Sequence, residues 1–235
     1  MSTHEQLIAS PDSQHHWLAR LWNSTVGKKL VMALTGAIGV GYVLAHMIGN
    51  LQVFAGAEKI NGYAALLKSN SALLWTARSL LIVAVVLHII AAYQLARTSQ
   101  KSRPIGYKRW RAIASDFASR TMRWTGPLVG IFIVYHLLHL TNGTVHPDFS
   151  ERNVYHNVIS GFQVWYVSAI YIVAMLALSL HLYHGAWSMF ESVGLNSPKY
   201  NRLIRVLATF LTVVVVGGFI SIPVAVLLGL IPSDQ

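Results

Sequence analysis

The chain has 235 residues, 54% of them hydrophobic and 11% charged, whereas a soluble domain carries about 25% charged residues. It contains no cysteine, which excludes a disulfide framework, a cysteine-ligated iron–sulfur cluster and a covalently attached c-type haem. The formal net charge is +10, and its placement decides whether it points to nucleic acid or to membrane topology.

The first segment, residues 1–27, ends in "HHWLARLW" and its following turn. Trp17, Leu18, Leu21 and Trp22 would share one helical face there. That pattern suits a short helix lying on the membrane surface, with a frayed tail as the alternative. The first long apolar run exceeds the core of a cleavable signal peptide and lacks a small-residue cleavage site.

Residues 30–57, 79–96, 124–147, 153–190 and 206–233 contain no Asp, Glu, Lys or Arg. A spanning helix needs about 20 mainly apolar residues. The windows therefore predict an all-α membrane protein with five transmembrane helices, at about 28–52, 71–97, 121–142, 160–190 and 202–230. The fourth window is long enough to add an outer, interfacial segment. The domain spans 28–230, with a short tail at 231–235. Pro104 and Gly106 break any helix in the inner connection 98–120, and Ser197-Pro198 closes the short inner link before the fifth helix.

With the N-terminus in the cytoplasm, 14 of the 18 Lys and Arg residues fall on the cytoplasmic side, eight of them between 97 and 123. The outward loops hold only Lys59, Lys68 and Arg152, with Arg78 near that interface. This bias is what the positive-inside rule expects of a bacterial-type inner membrane protein. It accounts for the basic charge without nucleic acid, and it leaves a basic face for anionic lipid or an acidic partner.

A repeat runs through the first four helices. Thr35-Gly36 precedes His46 and Thr125-Gly126 precedes His136, with glycine and histidine ten residues apart in both. His88 is followed four residues later by Ala92, and His181 by Gly185. Helices one and two thus look like a copy of three and four, with the fifth outside the repeat.

An ionisable ring at membrane depth is costly and marks function by default. Counting from the cytoplasmic charges at 1.5 Å per residue, His88 and His181 lie about 14–15 Å deep, and His46 and His136 about 20–25 Å deep. Two levels of paired imidazoles suit two metal centres. Zinc asks for about four ligands, often Cys, Asp or Glu, and none lies beside these rings in sequence. Two opposed imidazoles match the axial positions of haem, which without cysteine is b-type. Gly39, Ala92 and Gly185 would let a flat macrocycle approach the backbone, although small residues also serve ordinary helix packing. His139 and His184 each lie three residues past another histidine, so either could be the ligand instead. The ten-residue offset favours His136, and the match between His88–Ala92 and His181–Gly185 favours His181.

"LTGAIGVGYVLAHMIGNLQVF", "LLIVAVVLHIIAAYQL", "SRTMRWTGPLVGIFIVYHLLHL" and "LHLYHGAWSMFESVGLNSP" resemble the di-haem cytochrome b membrane subunit of succinate dehydrogenases and fumarate reductases. The likeness is to the five-helix, single-polypeptide b558 type, over about residues 26–230. It implies a four-helix haem-binding bundle plus one flanking helix, holding two b haems. His88 and His181 would ligate the inner haem, and His46 and His136 the outer one. It also implies cytoplasmic partners, a flavoprotein with FAD and an iron–sulfur subunit, with the dicarboxylate chemistry on the flavoprotein. Electrons would exchange with quinone, usually menaquinone, towards the outer face.

Glu58 and Lys59 are candidates for that quinone site, or else solvated loop charges. Lys28, Arg78 and Arg123 are candidates for haem propionates, or else interface anchors. His139 and His184 could bond propionates, tune the haems or approach quinone. Some fumarate reductases of this kind carry a Glu two residues before the fourth-helix ligand. This chain has Ser179 there, which argues against a proton route at that position. Two other readings stand beside this one. A haem b subunit of a hydrogenase or formate dehydrogenase would lack a flavoprotein partner. A transporter relaying protons through buried histidines would be colourless.

Overall fold

The structure is a computed structural model that describes residues 17–102, 117–195 and 197–232. Among these residues the chain is all-helical, and five helices are long and apolar enough to cross a membrane. The Pro104–Gly106 break and most of the inner connection lie outside the described residues.

A short helix, α1 (Trp17–Asn23), leads into α2 (Thr25–Asn50). The helix predicted from the amphipathic pattern is present, with Trp17 and Leu21 exposed. Ser24 caps α2, its hydroxyl accepting the Gly27 N–H at 2.9 Å. Gly27 lies so close to the Leu21 carbonyl that a Cβ would collide with it. The bend between α1 and α2 therefore depends on glycine.

α2 unwinds through a 3-10 turn, Leu51–Ala55, to Gly56, whose φ of +92° lies in the region glycine favours. There follow α3 (Ala57–Ser69), α4 (Ser71–Lys101), α5 (Phe117–His136) with a π-helical turn at Leu137–Thr141, α6 (Val154–Gln163), α7 (Trp165–Ser192) and α8 (Pro198–Leu227). Asn70 caps α4 and Asn153 caps α6, each side chain accepting a first-turn N–H at 3.0 Å. Pro198 opens α8, where its missing N–H has no intrahelical partner to lose.

Two elements differ from the sequence expectation. The outer connection 53–70 is a helix, α3, for most of its length. The fourth uncharged window is two helices, divided at Val164, whose backbone is extended (φ −77°, ψ 104°). The extra outer segment is therefore α6, and six of its ten residues are buried. It packs beneath other elements rather than lying along a surface.

α2 and α7 form the central pair. α4 packs on α2, α5 packs on α7, and α8 lies along α7 and reaches α2. The spanning helices turn large apolar side chains outward, such as Leu80, Val83 and Ile89 on α4, and keep small ones inside, Ala84 and Ala91. This is the arrangement expected in lipid, where close backbone approach rather than exclusion of water drives helix association.

The main apolar cluster sits at one end of the bundle. It joins Val53, Ile60, Tyr155, Val158, Phe162 and Tyr171 with Ile222, Val226 and Ile231. Side-chain bonds tie the same end together. Asn61 Nδ2 donates to Asn153 Oδ1 at 2.9 Å, the Tyr155 N–H donates to Asn61 Oδ1 at 3.1 Å, and Tyr155 Oη donates to the Pro232 carbonyl at 2.7 Å. The connections after the first and third spans, and the residues after the fifth, thus share one end of the bundle, as five crossings require.

Candidate functional site

Four long helices each carry a histidine towards the interior, and the rings meet in two pairs. His46 of α2 and His136 of α5 have ring centroids 5.7 Å apart, with planes 82° from parallel. His88 of α4 and His181 of α7 have centroids 6.3 Å apart, with planes at 59°. These are the pairs that depth in the sequence predicts. The paired rings come from helices that do not pack closely on one another: among the described residues, neither α4 with α7 nor α2 with α5 makes a close backbone interface. Each ring pair therefore bridges a gap.

Glycines recur on the helices that carry the rings. A Cβ built on Gly39, Gly130 or Gly185 would meet nothing within 4 Å, although all three residues are half-buried. Gly36 and Gly126 instead stand against the rings. A Cβ on either would lie 3.7 Å from Cε1 of His88 or His181, respectively. The Thr-Gly dipeptides thus border the His88–His181 pair, and the histidine ten residues later in each helix belongs to the other pair. Ten residues of helix rise about 15 Å, so the repeated offset is the vertical separation of the two levels.

Each pair has its own hydrogen-bonding surroundings. Thr35 Oγ1 donates to the Val31 carbonyl at 2.7 Å and lies 3.1 Å from His88 Nδ1. His181 Nδ1 is buried and has no hydrogen-bond partner among the described residues. At the other level, Tyr171 Oη lies 3.2 Å from His136 Nδ1 and 3.0 Å from His139 Nδ1. His46 stacks on Tyr42 at 5.4 Å and touches Phe219 at 5.8 Å. The Asn50 amide lies 3.3 Å from both nitrogens of the His46 ring, while its shorter bond, 2.7 Å, goes to the His46 carbonyl.

His139 is the most enclosed histidine, 1% exposed. It lies in the π-helical turn after α5, between Tyr135 (5.6 Å, 7°) and His146 (4.8 Å, 26°). His146 is fixed on both sides: its Nδ1 accepts the Asp148 N–H at 3.1 Å and its Nε2 donates to the Asn157 carbonyl at 3.0 Å. His139 is thus built into the wall behind His136 rather than paired across the gap. His184 lies one turn beyond His181, half-buried, with its ring 6.0 Å from that of Trp187.

The remaining sequence candidates lie at the periphery. Glu58 and Lys59 are exposed in the first turn of α3. Lys28 is half-buried near the start of α2, and Arg123 is exposed on α5. Arg78 is exposed, with its guanidinium 5.2 Å from the Trp75 ring centre. Ser179 donates to the Leu176 carbonyl at 2.7 Å. Tyr171, Thr35 and Thr125 were not singled out from the sequence as site residues. Tyrosine and threonine are common in helices, and only the fold shows that Tyr171 and Thr35 reach a ring, while Thr125 bonds back to the Thr121 carbonyl beside Gly126.

A family model for the succinate dehydrogenase/fumarate reductase transmembrane subunit matches residues 99–219, about half of the chain. The chain belongs to that family. No curated protein and no solved structure matches it. The matched region carries His136, His139, His181 and His184. His46 and His88 lie before it, and they join the family's region through the ring pairs. As a member of this transmembrane-subunit family with five candidate spans, the chain is a multi-pass membrane protein and part of a succinate dehydrogenase or fumarate reductase complex.

The residues present fit a haem between the rings of each pair. A haem iron takes imidazole as an axial ligand, and each pair would offer it one ring from either side of the gap. The ring centres stand 6.3 Å apart in the His88–His181 pair and 5.7 Å apart in the His46–His136 pair. Glycine faces leave room beside the rings. Among the described residues, no group of three or more His, Cys, Asp and Glu side chains is placed to hold a metal ion, so the donor set available is the paired imidazole.

Proposed function

We propose that the chain is the cytochrome b membrane anchor of a succinate:menaquinone oxidoreductase or a menaquinol:fumarate reductase, with two b haems. The reading is carried by one observation: two imidazole pairs at two levels, each bridging a gap between helices. Family membership supports it. His88 and His181 hold the inner haem, and His46 and His136 the outer. Haem held in this way supplies a one-electron couple inside the membrane. The chain's own part is to present unprotonated imidazole nitrogens, to leave space beside the rings with glycine-faced helices, and to exclude water with α3, α6 and the apolar cluster above the outer pair.

The domain of residues 28–230 sits in the cytoplasmic membrane with the N-terminus inside. A flavoprotein carrying FAD and an iron–sulfur subunit dock on the cytoplasmic side, where the basic residues gather. Menaquinone binds towards the outer end, where Glu58 and Lys59 are candidates for exchange of protons with it. His184 and Arg123, with Lys28 and Arg78, are candidates for propionate contacts. These assignments rest on resemblance and on placement.

The test is a redox-titrated optical spectrum and haem content of the complex purified from membranes. Two b-type components per chain are expected. Replacing His88 or His181 removes one of them, and replacing His46 or His136 removes the other. A colourless complex, or one with a single porphyrin, overturns the reading.

A further inference from the structure

The Thr-Gly dipeptide occurs twice, and both copies border the same ring pair. Thr35 is buried, and its hydroxyl proton is committed to the Val31 carbonyl at 2.7 Å. A hydroxyl has one proton and two lone pairs. With the hydroxyl proton so placed, the 3.1 Å contact with His88 Nδ1 is one in which the ring N–H donates and Thr35 Oγ1 accepts, beside the Met32 carbonyl, which also bonds the His88 ring. That places the imidazole proton on Nδ1 and leaves Nε2 bare. A ligating histidine commonly has this arrangement, with its second N–H held by an outer partner.

Thr125 repeats the local geometry. It is 4% exposed, and its hydroxyl donates to the Thr121 carbonyl four residues back, at 3.2 Å. Its neighbour Gly126 faces the His181 ring, with the Cβ position 3.9 Å from Nδ1. That nitrogen is buried and unbonded. A buried polar group without a partner is costly; Thr125, next to Gly126 in sequence, has a lone pair to spare but is not hydrogen-bonded to that ring in the structure.

We propose that Thr35 is a positioning residue for the inner imidazole pair, accepting the Nδ1–H of His88 so that this ring is fixed with Nε2 unprotonated, and that Thr125, at the matching place in the repeat, serves His181 in the same way once that ring is seated on a metal. The consequence for haem rests on the ligation proposed above. Glycine follows each threonine because the supported ring lies against the backbone there. The Thr-Gly dipeptides are thus seats for the histidines of the next long helix.

The test uses the purified complex with Thr35→Val and Thr125→Val, which keep shape and remove the acceptor. Thr35→Ser and Thr125→Ser restore it. Thr76→Val is the control, since Thr76 is exposed, bonds back to the Ala72 carbonyl and has no hydrogen bond to a histidine among the described residues. Losing the acceptor makes the ring a weaker donor to iron. The inner component should titrate at a higher potential, with altered low-spin ferric g-values, while the outer component stays in place. Haem loss to a competing apoprotein should speed up about 10–100-fold. The serine variants should return all three readouts towards the parent.

Two b components with unchanged potentials, g-values and haem retention in both valine variants would overturn the proposal. A colourless parent would instead defeat the haem reading. Nitrogen-15 shifts of labelled histidines in the full-length chain would then decide the threonine roles. Nδ1-protonated signals for His88 and His181, lost on Thr→Val, support them; unchanged signals overturn them.

Discussion

Tyr171 Oη stands 3.2 Å from Nδ1 of His136 and 3.0 Å from Nδ1 of His139. One hydroxyl on α7 thus joins the gap-facing histidine of α5 to the one buried behind it. Tyr171 is 7% exposed and packs edge-on against Phe132 and Phe162 at 5.0 and 4.8 Å, so its position is set by ring packing. Tyr171→Phe keeps that packing and removes the bridge. The expected cost to stability is about 0.5–1.5 kcal/mol, read by thermal unfolding of the purified protein. If His136 is a ligand, the same change moves the potential of the outer b component and leaves the inner one unmoved. A shift of the inner component alone would contradict the assignment of levels.

The open faces of Gly39 and Gly185 give a second prediction. Nothing lies within 4 Å of a Cβ at either position among the described residues, so a side chain can leave the backbone of Gly39 or Gly185 without meeting protein at its first carbon. Helix propensity even favours the change, by roughly 0.5–1 kcal/mol. If the gap holds a porphyrin, the leucine occupies its space. Gly39→Leu and Gly185→Leu should therefore fold and insert normally but carry less haem, measured as haem per chain alongside circular dichroism. Full haem content in both variants would mean that the glycines serve helix approach alone.

Much of the site was legible because depth in a membrane can be counted. Charges fix the ends of the spans and each residue adds a constant rise, so the pairings of His46 with His136 and of His88 with His181 follow from position. What could not be counted was lateral contact. Thr35 reaches His88 across 53 residues of chain; the repeated Thr-Gly dipeptide flagged the position, but not the ring it meets. The ten-residue offset was visible, but its meaning, two levels served by one helix, required knowing which faces meet. α3 was hidden by its polar composition between two apolar spans; its signals were Glu58 in the first turn and the buried Ile60. The break at Val164 has no proline or glycine beside it. The π-helical turn that turns His139 into the wall has no sequence signature either.

Topology is the third prediction, and the chain is suited to it because it has no cysteine. Single cysteines can be introduced without a background. Lys59, Ser150 and Lys68 lie at the end closed by α3 and α6, and Arg20 and Lys199 at the other. Cysteine at the first three should react with an impermeant maleimide in intact cells. Cysteine at Arg20 or Lys199 should react only after permeabilisation. The reverse pattern would place the basic end outside and contradict the charge rule.

Gly161 gives the last prediction. It lies on the buried face of α6, and a Cβ there would stand 2.9 Å from Cε1 of His139 and 3.1 Å from Nε2 of His146. Neither ring can withdraw freely. His139 is held between Tyr135 and His146, and His146 is bonded at both nitrogens. Overpacking of this kind costs about 1–3 kcal/mol. Gly161→Ala should lower the unfolding temperature and disturb the outer level, because His139 shares Tyr171 with His136. Gly62 is the contrast: it lies in α3, and a Cβ there meets nothing within 4 Å. Gly62→Ala should be neutral or stabilising by roughly 0.5–1 kcal/mol, since alanine loses less conformational freedom in a helix. Equal destabilisation by the two substitutions would show that α6 is not held against the histidines as described, and that His139 has room the packing denies it.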